Sequence, residues 1–147
     1  FCVRMFEKGL DVAQSKTLID QLGLTDCVEW SSEVTQAQLL ERYQTSDVIV
    51  DQFGDGVIAM AGLDAMAMGK PLLANGRPEI FDRLTGEKSP VCHATTPQEV
   101  CRKLLWLCDP QVRLEVGLRS RTYVERHFSS AVAARACLDV LEGGAAT

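Results

Sequence analysis

Apolar and polar positions follow two different rhythms along this chain of 147 residues. Residues 1–6, "FCVRMF", mix β-branched and aromatic side chains and predict a short strand. "LDVAQSKTLIDQLG" then sets Leu10, Val12, Ala13, Leu18, Ile19 and Leu22 at helical spacing, with Gly23 as the stop. "CVEWS" (27–31) predicts a second strand. "VTQAQLLERYQ" predicts a helix opened by a capping box, with Thr35 as N-cap and Gln38 three residues on. "DVIVDQF" (47–53) predicts a third strand, and its unbroken Val-Ile-Val run suits a parallel strand buried on both faces.

The next stretch, "GDGVIAMAGLDAMAMGKPLLA" (54–74), is small and apolar apart from Asp55, Asp64 and Lys70. It predicts a helix ended by Gly69 and then a strand, "PLLAN" (71–75), with Pro71 at its first position. At about 100° per residue, Val57, Met60, Ala61, Asp64 and Met68 share one helix face. The other faces are also apolar, which predicts a helix buried on all sides. Residues 76–89 read as a loop with a helical turn near Phe81, and "PVCHA" (90–94) as a weak fifth strand.

From there the pattern is helical. Thr96, Pro97 and Glu99 stand as N-cap, N1 and N3 of one helix, and Asp109-Pro110 opens another in the same way. Ser129 or Ser130 caps a last helix ending near Gly143, and "GGAAT" reads as a frayed end. Strand-helix alternation predicts an α/β fold: a Rossmann-like parallel sheet with flanking helices and right-handed crossovers, followed by C-terminal helices. The expected organisation is one domain over 1–147, alternating over 1–94 and helical over 95–143.

Composition narrows the function classes. Hydrophobic content is 46% and charged content 24%, as in ordinary globular domains. A net charge of −5 argues against nucleic acid or an anionic membrane surface as the main partner. Arg113, Arg119, Arg121 and Arg126 are expected on a solvated helix face. No apolar run reaches the length of a membrane span, and "FCVRMFEKG" is no signal peptide. A start at Phe1 rather than Met fits a fragment. Cys2, Cys27, Cys92, Cys101, Cys108 and Cys137 form no C-x-x-C pair and suit no zinc site. They are expected as buried free thiols in a reducing cytoplasm. His93 and His127 are far apart in sequence and are expected to be structural.

Candidate chemistry concentrates in 51–75. "DQFGDG" (51–56) stands at the carboxyl end of the most buried strand, where ligands bind in doubly wound sheets. Gly54 and Gly56 would let backbone approach a ligand, and a following helix N-terminus would suit an anion. Asp55 fits a cap of that helix and competes with an anionic ligand there. Asp64 is a carboxylate in an apolar helix, and such a group needs a partner. That partner is either structural, such as a backbone N–H, a hydroxyl or Lys70, or a pair of ligand hydroxyls. Spacing alone leaves both open.

"LDAMAMGKPLLA" is similar to the "LEAMA-G-PV" signature of retaining glycosyltransferases of the GT-B fold, group 1 (family 4). "LIDQLGLTDCVEW" resembles that family's "lgl-d-V-f" step into a strand, and "LLERYQTSDVIVDQF" its "el-ly--aDv-v-p" step. "TPQEVCRKLLWLCDPQVRLEVGLRSRTYVERHF" resembles its C-terminal helices, so the likeness spans nearly the whole chain in order.

The resemblance implies a donor-binding C-terminal domain of a two-domain enzyme with the active site in the cleft. The substrate would be a nucleotide-diphosphate sugar of UDP or GDP type, with no cofactor and no metal. Asp64 would bind the ribose hydroxyls. Gly54, Asp55, Gly56 and Val57 would face the donor phosphates and sugar, with Ala61 beside them. No catalytic residue is expected in this chain.

The family acid is usually Glu, one methylene longer than Asp64. A second family Glu, eight positions earlier, is Gly56 here. The family's diphosphate-neutralising Arg and Lys match nothing in the chain. The remaining partners would be a sugar, lipid or protein acceptor and an N-terminal GT-B domain, with membrane association only through parts outside this chain. The implied location is cytoplasmic, or the cytoplasmic face of a membrane.

Residues 1–6 resemble the second strand of the family's 3-2-1-4-5-6 sheet, so the central first strand is absent and the sheet should be gapped or rearranged. Weak stability of the chain alone is expected. Two other readings stay open: a degenerate GT-B domain serving as a binding or scaffold module, and a nucleotide-sugar epimerase of the same fold. A dinucleotide-dependent oxidoreductase is set aside because no G-x-G-x-x-G stands at a strand-helix turn.

Overall fold

The computed structural model describes residues 1–54 and 56–143; Asp55 and the tail 144–147, with most of "GGAAT", lie outside the described residues. The fold is α/β with parallel strands. The chain divides into two compact units, Phe1–Leu39 and Leu40–Thr147.

In the first unit, β1 (Val3–Phe6) pairs in parallel with β2 (Val28–Ser31) across α1 (Val12–Gln21). Gly23 at φ 65° follows the Leu22 C-cap and ends α1 as its position suggested. Arg4 stands opposite Glu29 in the strand register, and its Nε lies 3.1 Å from Glu29 Oε2. Lys16 pairs with Glu7 and lies over the Trp30 ring. No residue of 1–39 is fully buried. The predicted capping box at α2 (Gln36–Gln44) is present: Gln38 N–H donates to Thr35 Oγ1 at 3.3 Å and Thr35 N–H donates to Gln38 Oε1 at 2.9 Å.

In the second unit, β3 (Ile49–Val50), β4 (Leu72–Ala74) and β5 (Cys92–His93) form a parallel sheet with β4 in the middle. Leu72, Leu73 and Ala74 are all at 0% exposure. Leu73 packs with Cys92, Ala94, Leu107 and Val116, and Val48, Phe53, Val100, Leu104 and Val112 extend that cluster. The described strands thus form two sheets, β1-β2 and β3-β4-β5, rather than one. The second edge of β3 has no strand partner among the described residues, and Val50 is exposed.

The motif helix departs from its prediction. α3 runs Met60–Ala67, because Gly56 at φ 67° and extended Ala59 keep the preceding chain out of helical geometry. Val57 is therefore off the helix. α3 is not buried on all sides either: Gly62, Ala65 and Met66 are buried, whereas Met60 is 72% exposed. Gly69 does end it, at φ 72°.

Residues 78–85 are a full helix, α4 (Pro78–Thr85), where a loop with one turn was expected. Pro78 at its start and left-handed Gly86 after it were the overlooked signals.

α5 (Pro97–Trp106) has the predicted Thr96/Glu99 box, and α6 (Pro110–His127) the predicted Asp109 cap on Gln111 N–H. Ser129 caps α7 (Ser130–Gly143) by accepting from Val132 N–H. Among the described residues no helix is long and apolar enough to cross a membrane. The thiols are a correction: Cys92 is buried, while the other five are exposed because they fall on outward helix and loop positions. Arg113 also leaves the expected solvated face. Its Nη1 donates to Leu107 O and Cys108 O at 2.8 and 2.9 Å, closing the carboxyl end of α5.

α3 and α6 meet at two glycines. A Cβ on Gly117 would lie 2.1 Å from Gly69 O, so only glycine allows the approach. Gly117→Ala should lower unfolding stability by about 1–3 kcal/mol, read as a lower urea midpoint. The α5 cap supplies a pH test. Hydrogen bonds from Thr95 N–H and hydroxyl, and from Thr96 N–H, hold the Glu99 carboxyl at about 2 against an ordinary 4.5. A depressed carboxyl stabilises the fold above its unfolded value and loses that effect as pH falls through its folded value. Stability should therefore fall between about pH 4.5 and 2, and Glu99→Gln should flatten that part of the curve.

Candidate functional site

The carboxyl ends of β3, β4 and β5 open together into a cavity of about 220 Å³. It is lined by Gly54 and Gly56 after β3, by Asn75, Arg77 and Glu79 after β4, and by His93 and Thr95 at and after β5. This is the position at which parallel α/β sheets hold ligands.

Asn75 joins the first two loops. Its N–H donates to Gln52 O at 3.1 Å and its side-chain Nδ2 to Phe53 O at 3.0 Å. Nδ2 is thereby committed, and Oδ1 is left as a buried acceptor without a partner. Gln52 Nε2 donates to Val57 O at 3.2 Å and closes the loop from beneath.

Gly56 is required twice. Its φ is 67°, and an added Cβ would stand 2.1 Å from Arg77 Cδ, so the aliphatic stem of Arg77 lies against it. Arg77 itself holds φ 22°, the one positive φ outside glycine among the described residues. Such backbone costs on the order of 1–3 kcal/mol and is held only by its surroundings. Arg77 Nε pairs with Glu79 Oε1 at 3.0 Å. The backbone N–H of Glu79 and the Arg77 guanidinium hold the Glu79 carboxyl below its ordinary value. Thr95 donates both its N–H and its hydroxyl proton to Glu99, so towards a ligand it offers lone pairs only.

Asp64 is not among the lining residues and sits half-buried on α3. Lys70, one of its candidate partners, instead donates to Gln44 O at 2.8 Å and closes the end of α2. The Asp64 carboxylate makes no hydrogen bond or ion pair among the described residues. Its neighbours are acidic and phenolic: burial raises the Tyr43 phenol, and the charges of Asp51 and Asp64 raise it further. Asp51 Oδ2 is buried without a partner, 2.9 Å from where a Cβ on Gly62 would stand.

Of the residues singled out in the sequence, Gly54 and Gly56 are thus brought to the cavity. Val57, Ala61 and Asp64 lie outside its lining, and Asp55 is outside the described residues. Asn75, Arg77, Glu79, His93 and Thr95 were missed. The "NGRPE" turn after a buried strand was their one sequence signal. Comparison with family models, with curated proteins and with solved structures finds no match.

The effect of the Asp64 charge on Tyr43 can be tested. Asp64→Asn removes one of the two charges that raise the Tyr43 phenol, so its alkaline absorbance titration should move down towards the ordinary tyrosine range.

Proposed function

We propose that this chain is the donor-binding part of a retaining glycosyltransferase, taking a nucleotide-diphosphate sugar of UDP or GDP type. One observation carries the reading. A polar cavity stands at the carboxyl ends of three parallel strands, on the glycine loop that leads into the helix bearing Asp64.

In this reading the Asp64 carboxylate, without a hydrogen-bond partner among the described residues, accepts hydrogen bonds from the two ribose hydroxyls. Gly54 and Gly56 keep side-chain bulk away from the diphosphate and sugar. The anion contact comes from loop backbone rather than from a helix start at Gly54–Val57, since α3 begins at Met60. Arg77 adds a cation on this side of the site. Its pairing with Glu79 offsets that charge, so the leaving diphosphate draws its main neutralisation from groups outside this chain. Transfer would proceed to an acceptor hydroxyl with retention, and stabilisation of the leaving diphosphate would be the main catalytic lever. No metal takes part in this scheme. The separate β1-β2 and β3-β4-β5 sheets agree with a GT-B half whose central strand lies elsewhere.

A second reading is a binding module of the same fold that transfers nothing. It is favoured by Gly56, where the family's sugar-facing Glu stands and where the Arg77 stem here fills the space. Bound donor without turnover would select it.

Calorimetric titration of UDP and GDP against the intact protein tests the ribose role. Asp64→Ala should weaken the nucleotide that binds by about tenfold or more, as expected for two lost charge-assisted hydrogen bonds. Unchanged affinity would remove Asp64 from the site.

A further inference from the structure

Within the donor-binding reading, on which this rests, the cavity has chemistry of its own. His93 lines it, yet His93 Nδ1 is buried without a hydrogen-bond partner. A buried N–H left unpaired costs more than a position without a proton, so the ring proton belongs on Nε2. That leaves Nε2–H as the ring's hydrogen-bond donor. The acceptors nearby are Glu79, which keeps oxygen lone pairs beyond its bond to Arg77, and the Thr95 hydroxyl oxygen. The formal charges of Arg77 and Glu79 cancel within their pair.

We propose that this cavity seats a neutral, hydroxyl-rich ring, the sugar of the donor, with His93 Nε2–H donating to one ring hydroxyl and Glu79 accepting the proton of another. A hydroxyl both gives and takes a hydrogen bond, so it suits a wall that alternates donor and acceptor. A sugar carboxylate does not: it only accepts, so it finds no partner on Glu79 or Thr95, and it adds a charge beside an ion pair that is already neutral. The site thus selects neutral hexoses over uronic acids. His93 and Glu79 set the affinity for the sugar, separately from Asp64 and the nucleotide.

The test compares UDP and GDP with their neutral hexose and uronate conjugates, by calorimetry on the intact protein. The neutral conjugate should bind more tightly than the bare diphosphate, and the uronate should lose that gain. His93→Phe should cut the sugar-dependent gain by about tenfold while leaving the diphosphate affinity unchanged. Glu79→Gln, at an exposed position that tolerates change, should also reduce the gain and should let the uronate in. If the gain survives both substitutions while the diphosphates still bind, the sugar seat is wrong and the donor reading stands. If no diphosphate or conjugate binds, the donor reading fails and the sugar seat fails with it.

Discussion

The second unit depends on complete burial of one short strand. Leu72, Leu73 and Ala74 have no exposed surface, and β4 is paired on both edges. A backbone so enclosed must satisfy its N–H and C=O groups by ladder bonds alone, and parallel neighbours supply them. Removal of the two leucines from water contributes about 1.5–3 kcal/mol each. The covering helices are set by the same requirement. α6 approaches the end of α3 this closely only because Gly117 carries no side chain, while Gly69 supplies the positive φ that ends α3. Function inherits this rigidity, since the loop leaving β4 delivers Asn75, Arg77 and Glu79 to the cavity.

Local chemistry was legible in the sequence wherever one residue's neighbours decide its conformation. The Thr96/Glu99 box, the Thr35/Gln38 box, the Asp109 cap and the stops at Gly23 and Gly69 all stand where residue type and spacing put them. The start of α3 was not legible. "GDGVIAM" has helical spacing, but Gly56 takes a positive φ, and the Arg77 stem that packs against it comes from more than twenty positions later. The exposed thiols went the same way. An apolar run such as "EVCRKLLWLC" says that some face is buried and not which one, and Cys101 and Cys108 fall on the outer face.

The cavity shows the same division. Its glycines were visible because a glycine-rich strand-to-loop turn has a local meaning. His93 was not, because nothing next to it in sequence tells that its Nδ1 lacks a partner. A polar group becomes informative only when the groups it could have bonded are seen to be engaged elsewhere. Asn75 is the clearest case: one end of its amide holds two loops together, and that bond leaves the other end free.

The same reasoning applies to Asp64, a carboxylate in an otherwise apolar helix. A structural role needs a protein donor, and the nearest cation by sequence, Lys70, is held on the end of α2. Asp64 and Asp51 both act on the Tyr43 phenol, which burial and these two negative charges make harder to ionise. Asp64 is half-buried, so its residue keeps some surface open to water. Glu79 keeps its charge through its own helix N–H and Arg77, and it presents oxygen to whatever enters. Of the two carboxylates, Glu79 lines the cavity beside Gly54 and Gly56, and Asp64 stands outside that lining on α3.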